Sequence, residues 1–275
     1  MIKVDGNKIA EGVLGKLGSQ AKGLGLAVVQ VGDDKVSGLF IGKKKEIAEK
    51  IGVKFKLFQF PSSISTRALR QEIRNIGDNK GVDGVLVQLP LPEKINTQYI
   101  LDSIPSRKDV DMLSSLSVGR FMTGKAETIP PVAASILKIL DIHDIKIKSK
   151  IVVVVGSGRL VGRPMIHVLL RQGATVIVLN SSTKNITTFT KMADMVISGT
   201  GKPGLITGDM IKDGAILIDA GLSTKKTKSG KLSFRGDIDH QKASNINLLV
   251  PAIGGVGPIT VAMVMKNLLI LAKNK

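Results

Sequence analysis

The chain has 275 residues, 43% of them hydrophobic, and a formal net charge of +18. That length can bury a sizeable core as one large domain or two modest ones. The lack of cysteine excludes disulfides, thiolate metal sites and cysteine nucleophiles, and a single Tyr with no Trp leaves little from which to build a base-stacking platform.

Strand and helix patterns alternate along the chain. Residues 26–31 read as a strand and residues 37–52 as a helix. Residues 53–57 alternate with period two, as a strand does. Residues 66–76 carry Leu69, Ile73 and Ile76 on one helical face. Residues 85–88 form a further strand and residues 98–104 a short helix. A second series begins after Ser149. Its strands are predicted at 151–155, 175–179, 194–198 and 215–219, with a helix running to Gln172 and a strongly apolar helix at 261–272. Such alternation predicts βαβ units and a mostly parallel sheet, an α/β fold of two domains. The stretch from about 111 to 131 is polar and turn-rich and is the expected boundary. The longest apolar runs, such as 151–155, are far too short to span a bilayer. The first residues carry no apolar signal core. The lysines are spread along the chain, so the charge reads as a solvated surface that also favours polyanionic ligands. Neither a nucleic-acid nor a membrane partner is expected.

Lys44 is the residue that asks most of its surroundings. Phe40, Lys44, Ile47, Ala48 and Ile51 fall at helical spacing on one otherwise apolar face. An ammonium group on an inward stripe is costly unless it is paired, snorkels out or does chemistry, and burial lowers its pKa. With Lys43 and Lys45 beside it, a plain solvated face is the alternative. Gln88 follows a buried apolar run and precedes Leu89-Pro90-Leu91-Pro92. Proline cannot continue a central ladder, so Gln88 belongs near the carboxyl end of a strand, where open α/β sheets place ligand groups. An amide there can orient a lysine ammonium.

The run Gly156-Ser157-Gly158-Arg159-Leu160-Val161-Gly162 follows a β-branched strand and opens a helix. That is a recipe for cradling a pyrophosphate, although the spacing is Gly-x-Gly-x-x-x-Gly. An acid after the next strand would grip a ribose 2′-hydroxyl. This chain has Asn180, Ser181, Ser182, Thr183 and Lys184 there. Ser181, Ser182, Lys184 and Arg159 can instead receive a 2′-phosphate, so NADP is expected rather than NAD. His143, His167 and His240 lack metal-ligand spacing, and no metal is expected.

Phe40-x-x-x-Lys44, Gln88-Leu89-Pro90-Leu91-Pro92, Lys108-Asp109-Val110-Asp111, Val161-Gly162-Arg163-Pro164-Met165, Gly201-Lys202-Pro203-Gly204 and Gly254-Gly255-Val256-Gly257-Pro258-Ile259-Thr260 occur in that order. In this the chain resembles the bifunctional methylenetetrahydrofolate dehydrogenase/cyclohydrolases over essentially its whole length. The resemblance implies a folate-binding catalytic domain at 1–125 plus 255–275 and a Rossmann-like NADP-binding domain at 126–254, with the last helix returning to the first domain. It implies oxidation of 5,10-methylenetetrahydrofolate with NADP, then hydrolysis of the methenyl product to 10-formyltetrahydrofolate, in a cytoplasmic homodimer. It makes Lys44 the proton shuttle, Gln88 its positioner and Asp111 the acceptor for the pterin ring. It assigns Phe40, Gly257 and Thr260 to folate, and Gly156, Ser157, Gly158, Ser181 and Leu222 to the cofactor. Thr260 is also placed to cap the last helix.

The chain departs from the pattern in places. Phe40 replaces Tyr, which opens the alternative of a dehydrogenase with a weakened or lost cyclohydrolase step. Ser157 stands where NADP users often carry a basic residue. Met112-Leu113-Ser114 replaces Gly and an aromatic or Leu after Asp111. Thr128-Ile129-Pro130-Pro131 replaces Pro-Cys-Thr-Pro.

Overall fold

The structure is a computed structural model and describes residues 1–226, 232–239 and 245–274; His240 lies outside them. In chain order the first elements are β1 (Ile2–Lys3), α1 (Gly6–Leu17), β2 (Gly25–Val31), α2 (Lys35–Lys50), β3 (Lys54–Phe60), α3 (Thr66–Asp78), β4 (Gly84–Val87), α4 (Thr97–Leu101), α5 (Ser115–Met122) and α6 (Pro131–Ile142). There follow β5 (Ile151–Val155), α7 (Gly162–Arg171), β6 (Thr175–Leu179), α8 (Ile186–Thr190), β7 (Met195–Ser198), β8 (Ile206–Thr207), β9 (Ile216–Asp219), β10 (Ser223–Lys226), β11 (Leu232–Arg235), β12 (Ile238–Asp239), β13 (Leu248–Val250) and α9 (Val256–Lys273).

The chain divides into two compact units. One comprises Glu11–Pro131 with Val261–Lys275, the other Met1–Ala10 with Val132–Thr260. These limits differ from the predicted 1–125 plus 255–275 and 126–254. The first residues group with the second unit because β1 pairs parallel to β13, Ile2 opposite Leu248, and the Gly6 amide donates to the Gly254 carbonyl.

In the Glu11–Pro131 unit a three-stranded parallel sheet has the order β3-β2-β4. All seven residues of the central strand β2 are buried, as expected for a parallel strand covered on both faces. The edge strand β3 alternates Lys54, Phe55, Lys56 in its first residues and stays partly exposed. Leu69, Ile73 and Ile76 of α3 pack with Ala27, Val29, Val85 and Val87 in one core. Two helices start on acceptor side chains: Asp34 takes the Ser37 amide at α2, and Ser65 takes the Ala68 amide at α3. Helix α5 lies inside the stretch predicted to be a turn-rich boundary, started by Ser114.

In the other unit a parallel sheet has the order β1-β13-β9-β7-β5-β6. The chain leaves β5 for β6 on one side and returns to β7 on the other. The reversal of strand order therefore falls between β5 and β7, where doubly wound sheets open a crevice at their carboxyl ends.

Helix α9 is longer than the apolar runs from which a membrane span was judged. It has the length, and a mean hydropathy of 1.5, but 56% of the window is buried within the protein. Strand-like runs were the wrong place to look for a span; the helix interrupts its apolar residues with Lys266 and Asn267.

Candidate active site and nucleotide cradle

Ser37, Ile41 and Ala48 form the buried stripe of α2. Lys44 sits at its margin, partly buried, with Phe40 one turn earlier and also partly buried. Gln88 directly follows β4, its amide donating to the Val29 carbonyl at 2.8 Å. The Leu89–Pro90 bond after it is cis. The Gln88 side-chain nitrogen donates to the Leu89 carbonyl at 2.7 Å. This leaves Oε1 to accept from the Lys44 Nζ at 2.9 Å. The lysine and the amide singled out forty-four positions apart are therefore bonded.

Burial lowers the Lys44 pKa, and the negative charge of Asp111 opposes that shift. Asp111 in turn is pushed up to about 6 by burial; Lys44 pulls it down and Asp109 pushes it up. Each charge is held in a setting that disfavours it, with the other as partial compensation. A lysine that releases its proton more readily and a carboxyl that titrates near neutrality make a site able to move protons at physiological pH.

The motif residues before Asp111 carry structural duties that the sequence left unassigned. The buried Lys108 ammonium donates to the carbonyls of Gly77 and Asn79, at 2.6 and 3.0 Å, and so closes the end of α3. The fully buried Asp109 accepts from the amides of Leu113 and Ser114, at 3.3 and 2.8 Å. Helix α3 and the loop holding Asp111 are both set by this one short motif.

The nucleotide residues lie at the carboxyl ends of their strands. Gly156 follows β5 with φ +100°, a conformation glycine adopts without penalty. A Cβ on Gly162 would stand 2.0 Å from the Gly156 carbonyl oxygen, so the third glycine serves the packing of helix on strand. A Cβ on Gly158 would approach nothing closer than 4.0 Å. Its bare backbone, with that of the exposed Ser157, faces open space. Helix α7 begins without a side-chain cap and without an acid in its first turn. The Arg163 amide is spent on the Gly158 carbonyl and Pro164 has none, so the helix offers a phosphate its positive dipole end and at most the Gly162 amide. After β6, Ser181, Ser182 and Lys184 are exposed, and the Ser182 amide is turned into the Asn180 side chain. The donor set is neutral and basic, as a 2′-phosphate needs. Leu222 follows β9 and is partly buried; a Cβ on Gly201 would reach 3.9 Å from its carbonyl oxygen.

Two buried acids support these loops and gave no sequence signal beyond their positions. Asp237 accepts through Oδ2 from the Ser198 hydroxyl and from the Thr200 amide and hydroxyl, at 2.7, 2.6 and 2.9 Å. Asp219 accepts from the amides of Gly221, Asp237 and Ile238. Burial raises the Asp219 carboxyl to about 6, against those three amide bonds, with Asp237 adding to the rise.

Gly257 and Thr260 lie in the first turns of α9. A Cβ on Gly257 would meet nothing within 4 Å. Thr260 does not cap the helix. Its hydroxyl donates to the Val256 carbonyl at 3.0 Å and stands 3.2 Å from the Ser135 hydroxyl. The helix starts at Val256, four residues earlier, because Pro258 fits only in a first turn.

Comparison with known proteins agrees with this geometry. The family model described as tetrahydrofolate dehydrogenase/cyclohydrolase, catalytic domain, matches residues 4–111. The corresponding NAD(P)-binding domain matches residues 130–275. The chain is 38% identical over 282 residues to the bifunctional protein FolD of Nautilia profundicola, covering 100% of this chain and 98% of that protein. A crystal structure of the bifunctional FolD enzyme of Campylobacter jejuni superposes with a TM-score of 0.92 at 33% identity, covering 100% and 99% of the two chains. The Trypanosoma brucei enzyme, solved with NADP cofactor and inhibitor, gives a TM-score of 0.95 at 29% identity, covering 99% and 97%. On the matched domains and full-length identity, the chain belongs to the tetrahydrofolate dehydrogenase/cyclohydrolase family.

Proposed function

We propose that this protein oxidises 5,10-methylenetetrahydrofolate to 5,10-methenyltetrahydrofolate with NADP and hydrolyses that product to 10-formyltetrahydrofolate, serving one-carbon metabolism. The observation that carries this reading is the hydrogen bond from Lys44 Nζ to Gln88 Oε1, in a chain of this family. NADP supplies the hydride acceptor when bound, and the open backbone at Ser157 and Gly158 with Ser181 beyond β6 fits its phosphates. For that step the chain's work is positioning donor against acceptor.

Hydrolysis is where the side chains act. Water adds to the methenyl carbon, and its proton must leave as the C–O bond forms. Lys44, whose ammonium is weakened by burial, takes that proton in its neutral form. It then gives that proton to the ring nitrogen as the carbon–nitrogen bond opens, while the hydroxyl proton of the adduct passes to solvent and the formyl C=O forms. Gln88 fixes the amine's direction. The Asp111 carboxylate accepts from the amino group and ring N–H of the pterin and sets its orientation. Phe40 offers a ring for stacking, Gly257 and Thr260 are assigned to folate, and Leu222 to the cofactor. We place the folate chemistry with residues 1–125 plus 255–275 and the cofactor with 126–254. The active species is taken to be a cytoplasmic homodimer associated through the nucleotide domain.

Phe40 supports one narrower reading. Lacking the phenol of the family pattern, the chain runs the dehydrogenase step with a slowed or absent cyclohydrolase. Following methenyl absorbance with NADP and NAD in parallel separates the two. The bifunctional reading expects NADP-dependent formation and decay faster than the uncatalysed rate. Sustained accumulation decaying only at that rate would establish the narrower one, and no NADP-dependent turnover would overturn both.

A further inference from the structure

Met112 is the residue the proposed chemistry leaves unexplained. It directly follows Asp111, is buried at 4% exposure and holds φ +60°. A non-glycine residue in that region is strained unless its surroundings hold it there. The surroundings are specific. The Met112 amide donates to the Asp109 carbonyl at 3.3 Å, and the Asp109 carboxylate takes the next two amides. The Met112 sulfur accepts from the Thr128 hydroxyl at 2.7 Å. The side-chain amide of Asn267 joins the same two segments a second time, donating to the carbonyls of Val110 and Ile129 at 2.9 and 3.0 Å.

Two departures noted in the sequence therefore meet in space. Met112 stands where the family pattern has glycine, and Thr128 where it has proline. Glycine tolerates φ +60° without help, whereas methionine needs an anchor, and threonine provides the hydroxyl that proline lacks. Releasing the anchor lets φ of Met112 return to negative values, which rotates the peptide that carries the Asp111 side chain.

We propose that the Met112–Thr128 contact, braced by Asn267, is a clamp that sets the direction of the Asp111 carboxylate, so that both residues position the folate ring without touching it. The role assigned to Asp111 rests on the functional reading above; the clamp itself does not.

Thr128→Val, Thr128→Ser and Met112→Leu test it. Valine and leucine keep volume and remove the hydroxyl or the sulfur; serine keeps the hydroxyl. Thr128→Val and Met112→Leu are expected to raise KM for methylenetetrahydrofolate about 5- to 30-fold, with KM for NADP within about twofold and Thr128→Ser close to wild type. The double variant is expected to be no worse than either single one, since both remove one bond. Should Met112→Leu not fold, Met112→Gly reads the clamp from the other side. Glycine takes φ +60° unaided, so folate KM is expected to stay close to wild type in Met112→Gly and in Met112→Gly with Thr128→Val, and a rise in either overturns the clamp. Hydrogen exchange over residues 110–114 needs no turnover and is expected to quicken about tenfold in Thr128→Val. Unchanged exchange overturns the clamp. Quickened exchange with folate KM unmoved in an active enzyme overturns its positioning role. A wild-type chain without turnover refutes the functional reading alone, and exchange still decides the clamp.

Discussion

The two candidate sites of this chain are built by opposite means. Around Lys44 the chain buries ionisable side chains and lets them perturb one another: a lysine lowered by burial, a carboxyl raised to about 6, an amide between strand and helix. Around residues 156–162 it does almost the reverse. There Ser157 and Gly158 are exposed, a Cβ on Gly158 would approach nothing closer than 4.0 Å, and α7 starts without a side-chain cap. The lesson is that proton transfer needs side chains held in unfavourable surroundings, whereas holding a phosphate needs only exposed backbone and a helix end. Substitutions should therefore act selectively, on the chemical step at the first site and on cofactor affinity at the second.

The sharpest break of that comparison is Lys44→Met. It is expected to slow hydrolysis of the methenyl compound by about 10²- to 10⁴-fold, the usual worth of a positioned acid–base group. Hydride transfer with NADP should change far less. Single-turnover absorbance of both steps measures the split, and equal losses would put Lys44 in substrate binding.

The pH dependence comes next. In the role proposed for it Asp111 accepts from the pterin as the carboxylate, and burial pushes its pKa up to about 6. Folate KM is therefore expected to be flat above pH 6 and to climb below it, approaching about tenfold per pH unit. NADP KM should not follow. Kinetics between pH 5 and 8 check this, and a flat folate KM would detach Asp111 from the ligand.

The cradle gives a pair of contrasting substitutions. Gly162→Ala puts a methyl 2.0 Å from the Gly156 oxygen and is expected to cost about 1–3 kcal/mol of stability through overpacking, read by denaturant unfolding. Gly158→Ala meets no protein atom closer than 4.0 Å. It should leave stability unchanged and raise NADP KM on the order of tenfold. Like effects from the two would mean that Gly158 is a packing residue as well.

The smallest effect is expected from Phe40→Tyr. Restoring the phenol adds one hydrogen bond beside the lysine and should speed hydrolysis by less than about tenfold, with hydride transfer unaltered. A stopped-flow comparison of methenyl decay resolves it, and slower decay would assign the phenyl ring a role that a phenol spoils.

Much of this was legible because the strongest signals were local. Strands 151–155 and 175–179 fall where the β-branched runs place them, and the two prolines after Gln88 correctly put the amide at a strand end. Lys44 stood out because one cation interrupts an apolar run, but the buried stripe runs through Ser37, Ile41 and Ala48, and of the predicted face only Ala48 is buried. What escaped depends on contacts between distant segments. A two-residue strand at Ile2–Lys3 exists only because β13 lies open beside it. Helix α5 is short and contains Gly119, so its own pattern is weak and Ser114 is its only clear start signal. Thr260 was misplaced as a cap because Val256 gives no cap signature, although Pro258 marks the true first turn. The backbone of Met112 gave no local hint at all; its partner Thr128 is sixteen residues away. The buried acids Asp219 and Asp237 give no local signal, because most of the donors on each come from distant segments.

The central claim is that Lys44 is held as a weakened ammonium beside an amide so that it can shuttle a proton. Nitrogen-15 NMR of lysine-labelled protein, with Lys44→Met to assign the signal, measures its titration directly. The account expects a midpoint clearly below the ordinary lysine value of 10.5, shared by the pH profile of hydrolysis. A midpoint at 10.5, with hydrolysis indifferent to the loss of that amine, would contradict it.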